Sequence, residues 1–145
     1  MTKSEQAMSK FAEGYNCAQS VFHAFCEDLG IEPDKALKIA GGFGGGMGRK
    51  GEVCGAVTGA LMVLGVRYGR GEKEADTAKD IAYGRTRELM DEFARKHGSY
   101  LCRTLLNDCD LTTAKGRKFF AENDLSSKVC KPCVQSAVEI VETML

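Results

Sequence analysis

Seven cysteines are the residues of this 145-residue chain with the most distinctive chemistry. A deprotonated thiol attacks disulfides and binds soft metal ions, which few other side chains do. Because seven is an odd number, the cysteines cannot all be paired in disulfides within one chain. In a chain expected to be intracellular, this abundance favours metal binding or redox chemistry over cross-linking, with some cysteines serving only as small core residues.

Four cysteines fall near the predicted starts of four different helices. Cys17 directly follows Asn16, a residue suited to capping a helix. The other three lie three residues after a possible helix start: Cys54 after Gly51, Cys102 after Ser99 and Cys130 after Ser127. A first-turn position lowers the pKa of a thiol, through free N–H groups and the helix dipole. We therefore predict that these four, the cysteine quartet, converge into one site; the alternative is that small residues simply pack well near helix starts.

The remaining cysteines are treated differently. Cys26 is predicted to lie mid-helix and Cys109 in a connection, so both are left outside the site. Cys133 belongs to the motif Cys130-Lys131-Pro132-Cys133, and such a motif at a helix N-terminus pairs an attacking thiol with a resolving thiol. Cys133 therefore joins the predicted catalytic residues, although the strands of a thioredoxin-like fold are missing. Structural zinc is disfavoured, because neither a second such motif nor a suitably spaced pair of histidines occurs.

A glycine-rich segment precedes Cys54, with six glycines among residues 41–48. Such a run predicts irregular backbone, with positive φ angles or a close approach to another group. We expect its backbone N–H groups to face cluster sulfides or a small anion, which makes four glycines predicted cofactor-binding residues: Gly44, Gly45, Gly46 and Gly48. The alternative is a tight crossing of two helices. The formal G-x-G-x-x-G match at residues 46–51 follows a helix rather than a strand, which argues against a dinucleotide site.

Hydrophobic residues recur with helical period along the chain, and no segment of useful length alternates as a strand would. After a first helical pattern at Ala7, Met8 and Phe11, helices are predicted over about 16–29, 33–40, 51–68, 73–96, 100–106 and 113–122, with a last helix to the C-terminus. The predicted fold is all-α, a single irregular helical bundle of about six to seven helices with little or no β-sheet. Residues 1–145 are predicted to form one domain.

Charge and composition disfavour two classes of partner, nucleic acids and membranes. Lys plus Arg and Asp plus Glu number 20 each, so net charge does not recruit nucleic acid or an anionic membrane. The longest apolar stretch, residues 53–66, is shorter than the roughly 20 residues of a membrane span. Because residues 1–6 do not resemble a secretion signal, a cytoplasmic location is expected.

Glycines at 51, 55 and 59 leave one helix face bare, and with apolar Leu61 and Val63 this motivates the prediction of a homodimer.

The segment Cys54-Gly55-Ala56-Val57-Thr58-Gly59 resembles the motif that names the C_GCAxxG_C_C family. The likeness covers nearly the whole chain, and its other parts are Tyr15-Asn16-Cys17-Ala18, the glycine-rich run, Leu101-Cys102-Arg103 with Leu105-Leu106, and a last cysteine before a final helix. The resemblance implies that the family's four cysteines are Cys17, Cys54, Cys102 and Cys130, with Cys133 as the alternative fourth. It implies redox activity as a family label, and similar domains joined to haem-bearing electron carriers favour electron transfer.

Three functions remain open at this point. The cysteine quartet could bind an iron–sulfur cluster through four thiolates and transfer electrons to a redox partner protein that the sequence does not identify. Without a metal, Cys130 and Cys133 or a pair from the quartet could act as a thiol-dependent oxidoreductase or sensor. The chain could also be a helical ligand-binding or interaction protein with incidental cysteines. No Ser-His-Asp set or phosphate-binding lysine motif supports a hydrolase or a kinase.

Overall fold

Helices make up the regular structure of the computed structural model, which describes all 145 residues. In chain order they are α1 (Lys3–Ala12), α2 (Cys17–Phe25), α3 (Pro33–Ala40), α4 (Gly44–Met47), α5 (Gly55–Tyr68), α6 (Ala78–His97), α7 (Cys102–Leu105), α8 (Ala114–Glu122) and α9 (Lys131–Met144). A 3₁₀ turn (Gly41–Phe43) precedes α4, and a π-helical turn (Ser126–Cys130) precedes α9. The only β-type pairing is a single bridge between Val53 and Leu101, so the all-α prediction is confirmed.

Local sequence explains where several helices begin. The Asn16 side chain accepts a hydrogen bond from the Gln19 N–H, and the Gln19 side chain accepts one from the Asn16 N–H, which forms a capping box at the start of α2. Thr2 forms the same box with Glu5 at the start of α1. Pro33 occupies the first position of α3, where its missing N–H costs nothing.

Helix α5 is the centre of the bundle and packs against α2, α6 and α9. It can approach α2 closely because Gly55 and Gly59 lack side chains. A Cβ at Gly59 would lie 2.7 Å from the Ala18 carbonyl oxygen, and one at Gly55 would lie 3.1 Å from the Ala18 nitrogen. The bare face that motivated the homodimer is therefore covered by α2 within the chain, and Val63 is fully buried. The homodimer stays a prediction, without that argument.

Three predicted helix boundaries were wrong. Helix α2 ends at Phe25 instead of about 29, because a turn that closes with the Ile31 N–H donating to the Cys26 carbonyl (2.8 Å) ends it early. Helix α5 begins at Gly55 instead of 51, since Gly51 has a φ of +75° and the next residues bond to another segment. Helix α6 begins at Ala78 instead of 73, after isolated turns.

Two groups of buried side chains lie side by side. The larger has 24 members, extends from α1 to α9, and includes Cys26, Cys54 and Cys133. The smaller consists of Cys102, Leu106, Cys109 and Leu111, with Cys130 packed against it. None of the helices combines the length and the apolar composition needed to cross a lipid bilayer. The cysteine quartet thus lies where the two groups meet.

Candidate functional site

One cavity of about 680 Å³ is lined by all four members of the cysteine quartet. The thiols come from four different parts of the chain: Cys17 begins α2, Cys54 directly precedes α5, Cys102 begins α7, and Cys130 ends the π-helical turn. The four glycines predicted to bind a cofactor, Gly44, Gly45, Gly46 and Gly48, line the same cavity. The structure therefore brings these sequence-predicted residues together.

Cys17 is positioned by the capping box of α2. Its neighbour Asn16 also donates a side-chain hydrogen bond to the Gly41 carbonyl (3.0 Å), which ties the start of α2 to the glycine-rich segment. A Cβ at Gly44 would lie 2.6 Å from the Asn16 amide nitrogen, so only glycine fits there. The predicted first-turn position of Cys17 is confirmed.

Backbone hydrogen bonds bring Cys54 and Cys102 together. The Cys54 N–H donates to the Tyr100 carbonyl (2.8 Å), and the Cys102 N–H donates to the Glu52 carbonyl (2.7 Å). Ser99, three residues before Cys102, was expected to cap this helix. The N-cap position is occupied by Leu101 instead. Cys54 likewise is the residue that precedes α5, not one three residues inside a helix.

The expected first-turn position of Cys130 was wrong. Cys130 has helical dihedral angles (φ −64°, ψ −44°), and the π-helical turn runs through it into α9 without a cap at Ser127. Helical hydrogen bonding therefore already exists around this residue. Cys130 therefore lacks the free N–H groups of a helix start, although it does line the cavity.

The thiols form two pairs that join distant parts of the chain. The Cys17 thiol lies close enough to Cys130, and the Cys133 thiol close enough to Cys54, for that neighbour to be the largest cause of the raised pKa of each. Cys130 and Cys133 are thus each paired outside their own motif. We call Cys54 and Cys133 the inner pair, since they are only 5% and 1% exposed, and Cys17 and Cys130 the outer pair, since both are half-buried.

Cys54 differs from the other site thiols in its electrostatics. The hydrogen bond from Cys133 lowers the pKa of Cys54, and the N–H groups of Ala56 and Val57 at the start of α5 act in the same direction against the effect of burial. The hydrogen bond to Cys54, and then burial, raises the pKa of Cys133. Within the inner pair, Cys54 therefore loses its proton before Cys133 does.

The cavity thiols Cys17 and Cys102 have raised pKa values. The hydrogen bond with Cys130 and burial together raise the pKa of Cys17 well above its ordinary value. Burial, with smaller effects of neighbouring thiols, raises the pKa of Cys102 to about 12. Of these thiols, Cys54 is accordingly the one that most readily becomes a thiolate.

Comparison with known proteins agrees with the geometry. The family described as "Putative redox-active protein (C_GCAxxG_C_C)" matches residues 15–144. The chain belongs to this family. A protein of Archaeoglobus fulgidus described as uncharacterized is 28% identical over 140 residues, which cover 92% of this chain and 86% of that protein. No solved structure matches the chain significantly.

The segment Cys54–Gly59 resembles the motif in the family's name, and the structure gives its residues physical roles. Cys54 is the inner thiol at the cavity, and Ala56 supplies one of the N–H donors that lower its pKa. Gly55 and Gly59 allow α2, which begins at Cys17, to approach α5 closely. In this C_GCAxxG_C_C protein, the motif therefore both polarises one thiol and sets its distance from another.

Two cysteines lie outside the site, and whether the others can bind a metal depends on how their thiols are grouped. Cys26 and Cys109 are buried outside the cavity wall, and the Cys109 thiol donates to the Gly116 carbonyl (3.2 Å). No three His, Cys, Asp or Glu side chains are grouped closely enough to bind a single metal ion. Four thiols around one cavity remain a suitable donor set for a larger cluster, whose ligands bind different irons.

Sequence reasoning missed three features of the site. It did not predict that Cys133 pairs with Cys54, because that contact depends on how α9 packs on α5. It also missed two cavity residues, Arg49 and Arg117. Arg49 follows the glycine-rich segment and could have been suspected as an anion-binding residue, whereas nothing in the sequence around Arg117 points to the cavity.

Proposed function

We propose that the protein is a thiol–disulfide redox protein in which the inner pair, Cys54 and Cys133, cycles between dithiol and disulfide. The observation that carries the proposal is the proximity of two buried thiols, Cys54 in the cavity wall and Cys133 behind it, which lowers the pKa of Cys54 and raises that of Cys133. Cys54 lines the cavity and Cys133 does not, so a substrate meets the attacking thiolate first. This arrangement suits an attacking thiol backed by a resolving thiol.

The exchange balances as follows. The Cys54 thiolate attacks one sulfur of a substrate disulfide; a mixed disulfide forms, and the other substrate sulfur leaves as a thiolate that takes up a proton. Cys133 then loses its proton and attacks the Cys54 sulfur, which forms the Cys54–Cys133 disulfide and releases the second substrate thiol. The substrate disulfide gains two electrons and two protons, and the protein dithiol loses the same number.

The second step is favoured by the first. The pKa of Cys133 is raised by its hydrogen bond to Cys54, and the negative charge of Cys54 contributes further. Both effects require a free Cys54 sulfur, so they disappear once Cys54 is in a mixed disulfide. The pKa of Cys133 then falls, and the resolving thiolate becomes available after the substrate has been attacked.

The outer pair provides a route for renewing the inner pair. Cys17 and Cys130 lie close together and are more exposed than the inner pair, and the charge of Cys54 is one of the causes that raise the pKa of Cys17. Reduction of the inner disulfide by these two thiols would move the disulfide to the outer pair without change in the total number of electrons. An external dithiol would then reduce Cys17 and Cys130.

A second candidate function is electron transfer through an iron–sulfur cluster. It is favoured by one observation, that Cys17, Cys54, Cys102 and Cys130 all line the same cavity. Such a cluster would supply one-electron chemistry, and these four thiolates would hold it. In this alternative the four thiols serve as ligands, and Cys133 supports the Cys54 thiolate through its hydrogen bond.

Purification without oxygen distinguishes the two functions. We expect protein with little iron or sulfide, whose reduced form loses two thiols per disulfide on mild oxidation and regains them with dithiothreitol. Cys54→Ser should abolish oxidation of the inner pair, while the buried control Cys26→Ser should retain it. The informative third variant is Cys102→Ser, which removes a cluster ligand but none of the paired thiols.

The outcomes separate clearly. Disulfide formation that persists in Cys102→Ser supports dithiol exchange. Visible absorption with stoichiometric iron and sulfide, lost in Cys102→Ser, would replace dithiol exchange by the cluster function. Protein with neither bound iron nor reversibly oxidised thiols would leave the cysteines incidental, as the third interpretation of the sequence holds.

A further inference from the structure

The charged side chains of the cavity are all of one sign. Arg49 and Arg117 are the only charged residues in its wall, and no aspartate or glutamate lines it. The chain as a whole has 20 basic and 20 acidic residues, so this imbalance is local. A cavity that combines two guanidinium groups with thiols offers an anion both charge and hydrogen-bond donors.

Neither arginine is neutralised by a carboxylate of the chain. Arg117 donates one hydrogen bond, from Nη1 to the Leu111 carbonyl (3.0 Å), which fixes its position and leaves further N–H donors. Nearby Arg103 shows the contrasting case, since its guanidinium contacts both Asp108 (2.8 Å) and Asp110 (3.7 Å). Arg49 and Arg117 have no such ion pairs, so their charge is available to a ligand.

The backbone at Arg49 is strained. Arg49 has a φ of +69°, a conformation that residues with side chains rarely adopt, and its N–H, which donates to the Gly44 carbonyl (3.2 Å), holds it there. Its Cγ lies 3.0 Å from the point where a Gly45 Cβ would be. The absence of a side chain at Gly45 thus makes room for the Arg49 stem against the cavity wall.

We propose that the substrate of the cavity is a small disulfide that carries carboxylates, held by Arg49 and Arg117 while its sulfur–sulfur bond meets Cys54. This inference rests on the proposed dithiol function and adds the substrate class. The volume of about 680 Å³ lies within the usual range for small-molecule sites, roughly 300–1,000 Å³. Guanidinium groups bind carboxylates through paired, charge-assisted hydrogen bonds, which would orient the disulfide for attack.

The chemical step is the exchange already described, with this disulfide as the oxidant. One sulfur of the carboxylate-bearing disulfide bonds to Cys54, and the other leaves as a thiolate and is protonated. Cys133 completes the exchange, so that one substrate disulfide becomes two thiol acids and the inner pair becomes a disulfide. The arginines change charge state at no point and act only in binding.

Three symmetrical disulfides of similar size test the substrate class on the full, reduced chain. They are dithiodipropionate, which is anionic, bis(hydroxyethyl) disulfide, which is neutral, and cystamine, which is cationic. We expect the rate constant for oxidation of the inner pair to be at least about tenfold higher with the anionic disulfide than with the neutral one, and lowest with the cationic one. Added salt should narrow the difference.

Variants assign the preference to the arginines. The Arg49 side chain makes no hydrogen bond within the protein. The variant Arg49→Gln, and the double variant Arg49→Gln with Arg117→Gln, should each reduce the ratio of the anionic to the neutral rate constant toward one. Arg87→Gln removes the same charge from an exposed site on α6 outside the cavity and should leave the ratio unchanged. The double variant also loses the hydrogen bond between Arg117 and the Leu111 carbonyl. If that loss destabilises the fold, Arg49→Gln alone still tests the preference.

Failure of this inference differs from failure of the proposed function. Similar rates with all three disulfides, or a ratio unaffected by Arg49→Gln, would overturn the anionic substrate class while the dithiol function stands. A reduced protein that reacts with none of the three, with Cys54 remaining a thiol, would overturn the proposed function itself.

Discussion

At the scale of single residues, Cys54 is the thiol on which the proposed chemistry depends. Its sulfur is buried, yet its pKa is lowered, because the Cys133 thiol and the Ala56 and Val57 N–H groups donate to it. Burial alone has the opposite effect, as Cys102 demonstrates with a pKa raised to about 12. Hydrogen-bond donors, and not solvent exposure, therefore decide which thiol of this site has a lowered pKa.

The pH dependence of alkylation tests this assignment. The rate of iodoacetamide labelling follows the thiolate fraction and rises as the pH passes through the pKa. Cys54 labelling should therefore reach its half-maximal rate below pH 9.0, the ordinary thiol value, whereas Cys102 labelling should still be rising there. Peptide mass spectrometry after timed labelling gives both profiles, and the inflection point is independent of how burial slows each rate.

Removal of the donor provides the matching variant. Cys133→Ala deletes the hydrogen bond to Cys54 and should move the Cys54 inflection to higher pH. Cys26→Ala deletes a buried thiol that lies outside the cavity wall and is not among the groups that shift the pKa of Cys54, so it should leave the inflection in place. An unshifted profile in Cys133→Ala would mean that the inner pair does not activate Cys54.

At the scale of elements, glycines determine how closely the parts of the site approach. Gly46 has a φ of +68°, and a Cβ there would lie 2.6 Å from the Glu52 nitrogen and 2.7 Å from the Cys102 Cβ. Gly48 has a similar φ of +60°, but a Cβ there would meet nothing within 4 Å. The two residues share the same backbone conformation and differ in their surroundings.

Alanine at these two positions separates strain from contact. Both substitutions carry the cost of a positive φ, about 1–3 kcal/mol. Gly46→Ala should lower the free energy of unfolding by about a further 1–3 kcal/mol, because Cys102 and the Glu52 backbone must move. Urea unfolding followed by circular dichroism measures the difference, and equal stabilities for the two variants would show that the close approach at Gly46 is unimportant.

Elements also show what the sequence could and could not predict. The all-α class and the position of Cys17 followed from helical periodicity and from the cap at Asn16, which are local signals. The start of α5 was misplaced because the bridge between Val53 and Leu101 is a contact between distant segments. Cys130 was misplaced because a π-helical turn has no cap to mark it, so the sequence around Ser127 resembles a helix start.

At the scale of the whole molecule, the chain brings thiols up to about 110 residues apart to one cavity. The packing of α5 against both α2 and α9 produces this arrangement, because α2 begins at Cys17 and α9 contains Cys133. Association with a second chain is a separate matter, since the glycine face of α5 is already covered. The predicted homodimer is tested by sedimentation equilibrium, where a monomer mass at micromolar concentration would contradict it.

The disulfide connectivity of the oxidised protein shows directly whether Cys54 and Cys133 form the redox pair. The full chain, reduced and then oxidised with a small disulfide, is blocked, digested and mapped by mass spectrometry. We expect a Cys54–Cys133 disulfide first, and then a Cys17–Cys130 disulfide that forms by exchange with the inner pair or by further oxidation. A disulfide between Cys130 and Cys133, as the local motif alone would give, or a Cys54 thiol that stays reduced while no Cys17–Cys130 disulfide forms, would contradict the proposal.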